Sequence, residues 1–235
     1  MQRLQLLSFE IGRTCNLAAD HPWCPVNFMA RPEGEISDVD ILVFAGACQT
    51  HGFRGLIAWH YYNEPMLEFS RVIRLSDSLR EIGLPSGLWT NGSLIDPDDL
   101  SWVQHFSRIW ITLHDPERRE IYRKVEEAAP GRVTIVPGDH DSRLQAYSAG
   151  EISCPDCWRP LHLELIIDNG GEAHICCADW KAESWIGNIR KDHADMIYFR
   201  WKAAAIKASC GLMPVCRRCA RLEKSPALLD KEFRL

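Results

Sequence analysis

Cysteine is the residue type in this sequence most suited to metal chemistry, and the chain has ten of them. Cys15 and Cys24 lie near the start, Cys48 stands alone, and the other seven lie between Cys154 and Cys219. The N-terminus shows no signal peptide, and in a reducing compartment closely spaced cysteines bind metals more often than they form disulfides. Thiolates ligate both iron–sulfur clusters and structural zinc. The spacing therefore predicts metal-binding cysteines near the start of the chain and again in its last third.

The composition argues against two classes of partner. A net charge of -5 and a pI near 6.0 argue against nucleic acid, whose phosphates are bound by clustered Lys and Arg. No apolar run reaches the length of about 18 residues that a membrane-spanning helix needs. We therefore expect a cytoplasmic protein that has neither nucleic acid nor membrane as a partner.

Short β-rich apolar runs alternate with amphipathic stretches between about residue 4 and residue 137. This rhythm is typical of repeated βα units around a parallel sheet. The strand candidates are LQLLSFEI, GLIAWHYY, SGLWTNG, RIWITLH and RVTIVPG, and the helix candidates between them are Ser37–Cys48, Met66–Ile82, Pro97–His105 and Pro116–Ala128. Such units are too few to close an eight-stranded barrel. The predicted fold class is α/β, with a partial, open (βα) barrel of about five to six βα units.

The pattern changes after Gly138. A polar connector leads to a hairpin, with the segments LHLELIID and EAHICCADW on either side of a turn at Asn169–Gly171, and then to a helix over roughly Asp195–Ser209. The predicted domains are the partial barrel over 1–140, the connector over 141–153, a cysteine-rich hairpin and helix extension over 154–222, and a C-terminal tail over 223–235.

Four motifs follow one another in a characteristic order. The loop after the first strand reads CNLAADHPWCP, the second strand ends in YNEP, the third ends in TNG, and the last third ends its cysteine pattern with CRRC. Over roughly residues 4–222 this order resembles the radical S-adenosylmethionine (AdoMet) enzymes that carry a C-terminal auxiliary-cluster extension of the SPASM or shorter twitch type. The resemblance implies two [4Fe-4S] clusters and AdoMet as cofactors.

In that family, three cysteines of a CxxxCxxC loop hold the first cluster, and AdoMet chelates its fourth iron. By resemblance, Cys15 and Cys24 are the first and last ligands, and the aromatic residue before the last cysteine is Trp23. The middle cysteine is missing, and His21 stands three residues before Cys24 in a loop two residues longer than usual. Imidazole ligation raises a cluster's potential, which opposes AdoMet cleavage. His21 is the proposed third ligand; water, Asp20 or no ligand at all are the alternatives, and Cys48 is a poor substitute.

The resemblance also implies where AdoMet binds. The segment Tyr62, Asn63, Glu64 and Pro65 resembles the strand end that holds the AdoMet amino group, and Thr90, Asn91, Gly92 and His114 lie where relatives contact the rest of the cofactor. A carboxylate at the carboxyl end of a parallel strand is well placed to bind a ligand. Alternatively, Glu64 caps the following helix, and the TNG and His-Asp-Pro segments are ordinary turns.

The second cluster has four candidate ligands by the same resemblance: Cys157, Cys176, Cys216 and Cys219. Thirteen residues separate Cys157 from Gly171, and four more separate that glycine from Cys176, as in the family's hairpin. Alternatively, the two CxxC pairs, Cys154 with Cys157 and Cys216 with Cys219, could supply the four ligands of a zinc site. No cysteine follows Cys219, so one auxiliary cluster is expected.

The function implied is reductive cleavage of AdoMet to a 5'-deoxyadenosyl radical, which abstracts hydrogen from a small-molecule or short-peptide substrate. The auxiliary cluster would assist oxidation or anchor the substrate, and a flavodoxin or ferredoxin would supply electrons. Two other functions remain open: a degenerate member that binds AdoMet or a partner without cleaving it, and a zinc-stabilised interaction module.

Overall fold

A computed structural model of the chain describes residues 4–22, 24–29, 34–138, 164–210 and 212–217. Within these ranges eight strands form one sheet. The strands are β1 (Leu6–Phe9), β2 (Leu56–Ala58), β3 (Ser86–Thr90), β4 (Arg108–Leu113), β5 (Val133–Pro137), β6 (Glu164–Ile167), β7 (Glu172–His174) and β8 (Gly187–Asn188). Each strand predicted from the apolar runs is present in shortened form.

The order of the strands is β5-β4-β3-β2-β1-β6-β7-β8. The pairings from β5 through β1 to β6 are parallel, and β7 and β8 add on antiparallel. This mixed α/β architecture confirms the predicted fold class, whereas the barrel-like curvature stays a prediction. The first strand of the predicted hairpin, β6, pairs directly with β1 and therefore belongs to the main sheet. The predicted connector over 141–153 lies outside the described residues.

Five helices accompany the sheet in the described ranges: α1 (Asp38–Thr50), α2 (Phe69–Glu81), α3 (Arg119–Ala128), α4 (Ala194–Ser209) and α5 (Pro214–Arg217). Side chains of α1 to α4 and alternate strand residues such as Leu7 and Phe9 form the main core. Leu6 points the other way and packs in a second cluster with Leu56 and Trp110. Because side chains alternate across a strand, one face of the sheet meets the helices and the other carries the second cluster. Burying each large apolar side chain contributes about 1.5–3 kcal/mol.

One predicted helix is wrong. The segment Pro97–His105 forms turns and then a short 3-10 helix, Ser101–His105, instead of an α-helix. The side chain of Asp96 accepts from the backbone N–H of Asp98 (2.9 Å), and that of Asp99 accepts from Ser101 (3.1 Å). Such local bonds offer the backbone an alternative to helical hydrogen bonds.

The other helices begin and end close to where the pattern placed them. Ser37 caps α1 in a capping box with Asp40. A 3-10 turn, Pro65–Glu68, precedes α2, and Gly83, with φ of +80°, follows its end. In the described part of the chain, no helix has the length and apolar character needed to cross a membrane.

Candidate functional site

The three N-terminal motifs follow adjacent parallel strands. The cysteine loop follows β1, the YNEP segment follows β2, and the TNG turn lies at the end of β3. Carboxyl ends of parallel strands meet at one edge of a sheet, where α/β proteins bind their ligands. The topology therefore brings these motifs, which are far apart in sequence, to a common edge.

Hydrogen bonds of the backbone and of side chains fasten the YNEP segment to the end of β1 and to the start of the cysteine loop. The N–H of Glu64 donates to the carbonyl of Thr14 (2.9 Å), next to Cys15. The N–H of Tyr62 donates to the buried carboxylate of Glu10 (3.0 Å), and the amide of Asn63 donates to the carbonyl of Ile11. The segment thus runs alongside the loop in a fixed register.

The carboxylate of Glu64 is buried, with 3% of the residue exposed, and accepts three hydrogen bonds. One oxygen accepts from the hydroxyl of Thr90 (2.7 Å) and the N–H of Met66 (3.0 Å), and the other accepts from the N–H of Asn91 (2.8 Å). Burial raises the pKa of Glu64, and these three donors partly oppose the shift. The side chain caps the 3-10 turn that begins at Pro65 and ties it to the end of β3. Glu64 thus caps the 3-10 turn and not α2 itself, whose N-cap is Glu68, and its role toward AdoMet stays a prediction.

The TNG turn is tied to the cysteine loop through the amide of Asn91. Its nitrogen donates to the side-chain oxygen of Asn16 (3.0 Å) and lies 3.6 Å from the Sγ of Cys15. Its oxygen accepts from the N–H of Ser93 (2.9 Å). Gly92 is required here, because φ is +73° and an added Cβ would lie 2.7 Å from the ring of Tyr122.

The two histidines of the predicted site meet each other. The rings of His21 and His114 lie 4.4 Å apart between centroids, although the two residues come from different loops of the edge. Cys24 precedes a 3-10 helix, Pro25–Asn27, and its N–H donates to the carbonyl of His21 (2.8 Å). Trp23 lies outside the described residues.

Cys15 and Cys24 are half-buried, whereas Cys48 is buried in the core. Burial raises the pKa of Cys48 to about 12, and its position in the core among side chains of the main cluster argues against a role as ligand. Thiolates at an accessible edge are the donors that an iron–sulfur cluster needs, so Cys15 and Cys24 fit such a group. Across the ranges that the structure describes, no three His, Cys, Asp or Glu side chains lie close enough together to hold a metal ion. The third ligand, His21 by expectation, thus stays a prediction.

Only part of the second cysteine group can be placed, since Cys157 and Cys219 lie outside the described residues, as does Cys154. Cys176 follows β7 and is half-buried, and its Sγ accepts from the N–H of Ala178 (3.4 Å). Cys216 lies buried in α5. Cysteine sulfur is the donor that both iron–sulfur clusters and zinc sites use. These two cysteines fit a metal site in kind, and the choice between cluster and zinc stays open.

Tyrosines at the end of β2 contact this second loop. The hydroxyl of Tyr61 donates to the carbonyl of Asp179 (2.7 Å), and that of Tyr62 donates to the carbonyl of Cys177 (2.5 Å). Burial raises the pKa of Tyr61 well above its usual value, and the nearby Tyr62, Asp179, Glu10 and Cys176 raise it further. The phenol of Tyr61 is therefore a neutral donor. The side chain of Tyr62, expected near AdoMet, reaches the second cysteine loop.

Two residues of the edge were not predicted. Glu10, fully buried, accepts from Tyr62 and from the N–H of Asn169 (3.3 Å), so that it joins the ends of β1, β2 and β6. Asn16 links the cysteine loop to the TNG turn. The signal for Glu10 was present in the sequence, because an acidic residue directly after a buried parallel strand lies at the ligand-binding edge. Asn16 gave no such signal.

No protein-family model matches this chain, and no curated protein matches it in sequence. Solved structures do match. BtrN in complex with AdoMet and 2-DOIA superimposes with a TM-score of 0.76 at 18% identity, over 94% of this chain and 95% of BtrN. Selenomethionyl BtrN in an open conformation gives a TM-score of 0.66 at 17% identity, over 93% of each chain. Hexahistidine-tagged anSMEcpe with bound AdoMet gives 0.55 at 14% identity, over 92% of this chain and 84% of anSMEcpe. At these identities the likeness establishes a shared fold.

Proposed function

We propose that this chain is a radical AdoMet enzyme that binds AdoMet and a [4Fe-4S] cluster at the carboxyl edge of its sheet. One observation carries the proposal: the cysteine loop, the YNEP segment and the TNG turn are joined to one another by hydrogen bonds through Thr14, Glu64 and Asn91. The fold shared with AdoMet-bound BtrN and anSMEcpe supports the same ligand here.

The residues of the edge have distinct tasks in this proposal. Cys15 and Cys24 ligate the cluster, with His21 as the third ligand. Glu64 uses its carboxylate to fix the backbone around Pro65 and Asn91, so the backbone of these segments is what meets AdoMet. Such pre-organised backbone groups need no rearrangement when the ligand binds. Thr90 and Gly92 support this arrangement, and His114 lies beside His21.

When bound, the cluster and AdoMet supply a 5'-deoxyadenosyl radical that abstracts hydrogen from a substrate. We propose a small molecule or a short peptide as that substrate and a flavodoxin or ferredoxin as electron donor. Cys157, Cys176, Cys216 and Cys219 would hold an auxiliary [4Fe-4S] cluster that assists oxidation or anchors the substrate.

Anaerobic reconstitution followed by dithionite and AdoMet tests the proposal. We expect about eight irons per chain, the content of two four-iron clusters, and release of 5'-deoxyadenosine. Cys24→Ala should abolish release and lower the iron content to about four, because one cluster loses a ligand. The matched control is Cys48→Ala, which removes a buried thiol and should leave iron content and product release unchanged. Release that persists in Cys24→Ala would contradict the assignment.

A second candidate function is AdoMet binding without cleavage. The observation that favours it is that no group of three metal-binding side chains is assembled among the described residues, the cysteine loop included. Wild type separates the candidates: under the first it releases 5'-deoxyadenosine, whereas under the second it binds AdoMet in a calorimeter and releases none. Under the first, His21→Ala also tests the third ligand and should lose iron from the N-terminal loop.

A further inference from the structure

Tyr61 and Tyr62 follow the end of β2, and Tyr62 is the first residue of the YNEP segment. Their rings are 4.1 Å apart between centroids, and both residues are almost fully buried. Consecutive residues of a strand would point to opposite faces, but β2 ends at Ala58, so both tyrosines turn toward the same loop. That loop begins at Cys176.

The two hydroxyls bind carbonyls on either side of Ala178. Tyr62 donates to the carbonyl of Cys177 (2.5 Å) and Tyr61 to that of Asp179 (2.7 Å). The N–H of Ala178, between these two points, donates to the Sγ of Cys176 (3.4 Å). The tyrosines therefore fix the stretch of backbone that orients the thiol.

Hydrogen bonds within the loop and apolar side chains around it also hold the loop in place. The carboxylate of Asp179 accepts from the N–H groups of Glu183 and Ser184, which makes the loop compact. Tyr61 and Tyr62 belong to a buried cluster with Ile166 and Cys177, against which Val26, Met29 and Trp180 pack. Val26 and Met29 come shortly after Cys24, so this cluster contacts the segment that follows the first cysteine loop as well as the loop that begins at Cys176.

We infer that Tyr61 and Tyr62 are positioning residues that hold Cys176 of the second cysteine group in its metal-binding orientation. They act through the backbone of the loop and do not themselves touch the metal. The inference rests on the second cysteine group of the proposed function and is independent of AdoMet cleavage.

Cobalt(II) is a suitable probe, because thiolate ligation gives it a charge-transfer band and no cluster assembly is needed. The full-length chain carrying Cys15→Ala and Cys24→Ala serves as background, so that the N-terminal loop does not contribute. A further Cys176→Ala change should remove the band and so assign it to the second group.

Adding Tyr61→Phe and Tyr62→Phe to this background should weaken cobalt binding by about tenfold, the effect expected when ordering worth about one buried hydrogen bond is lost. Tyr198→Phe is the control, since its hydroxyl donates to the carbonyl of His51 (3.3 Å), which belongs to neither cysteine loop. It should lower the melting temperature slightly, because one hydrogen bond is lost, and leave cobalt affinity unchanged. Thermal melts of each variant show that the chains compared are folded.

Equal cobalt affinity in the background and in the double-tyrosine variant would overturn the inference. A background that binds no cobalt, or a band that survives Cys176→Ala, would overturn it as well, because the tyrosines would then have no metal site to orient. Wild type that releases no 5'-deoxyadenosine, together with the expected cobalt result, would refute the proposed function alone.

Discussion

Replacing Glu64 by Gln tests whether the carboxylate holds the edge together. The substitution keeps the size of the side chain but turns one of its oxygens into an NH2 group. If the remaining oxygen faces the hydroxyl of Thr90 and the N–H of Met66, the new NH2 group faces the N–H of Asn91. Two donors then oppose each other, and a buried N–H loses its acceptor.

The size of the effect follows from that single lost acceptor. A buried donor left unsatisfied costs about 1–3 kcal/mol of unfolding free energy. For a chain of this length about 2 kcal/mol lowers the melting temperature by roughly 4–8 °C. Glu68→Gln is the control: Glu68 is exposed on the same 3-10 turn, and we expect a change within about 0.5 kcal/mol.

The pH dependence gives a second, independent signature. Burial raises the pKa of Glu64 in the folded chain above its value in the unfolded chain, so the folded state binds the proton more tightly. The stabilisation from this proton is complete below the unfolded pKa and is lost as the pH rises through the raised folded pKa. Wild type should therefore exceed Glu64→Gln in stability most at acid pH, and the gap should narrow toward neutrality.

Urea unfolding of both variants and wild type from about pH 4 to pH 7.5 measures these differences. A Glu64→Gln chain as stable as wild type at every pH would refute the idea that the three hydrogen bonds fix this edge. A gap that widens with rising pH would refute the direction of the pKa shift.

Two further predictions concern the core and the TNG turn. The thiol of Cys48 should resist alkylation in the native chain at pH 8, because burial raises its pKa to about 12, whereas the exposed Cys210 should react. Peptide mapping by mass spectrometry measures the labelling of each cysteine. Equal labelling of the two would contradict the prediction. Gly92→Ala should destabilise the chain by about 1–3 kcal/mol or more, as the strained φ of +73° combines with a 2.7 Å contact to Tyr122. Gly131→Ala, with φ of +71° and open space around it, is the matched control and should cost clearly less in the same thermal melts.

The strands and their order of appearance could be predicted because apolar periodicity depends on local sequence. The prediction of an α-helix over Pro97–His105 was wrong for a local reason as well. The side chains of Asp96 and Asp99 accept hydrogen bonds from the backbone two residues later, and a pattern of apolar spacing does not register this competition. The place of β6 beside β1 could not be derived, because both register and neighbour are set by residues more than a hundred positions away.

At the site, the residue types allowed the sequence to predict which segments come together, but the directions of their side chains could not be predicted. The cysteine loop, Glu64 and Asn91 were expected at one edge, and parallel topology explains why they meet there. The direction of Tyr62 depends on where β2 ends, and the end of a strand is the least certain feature of any sequence pattern. The partners of Asn91 depend on Asn16, in a loop with no periodicity at all.

The central position of β1 has a consequence for biosynthesis. One edge of this strand pairs with β2, about 50 residues later in the sequence, and the other pairs with β6. The hydrogen bond between Ser8 and Glu164 spans 156 positions. Until the ribosome has delivered that segment, the apolar sequence Leu6–Phe9 presents an open hydrogen-bonding edge, the kind of surface on which nascent chains aggregate. Fragments ending before residue 164 should accordingly be insoluble, and a holdase chaperone should associate with the half-made chain for most of its translation.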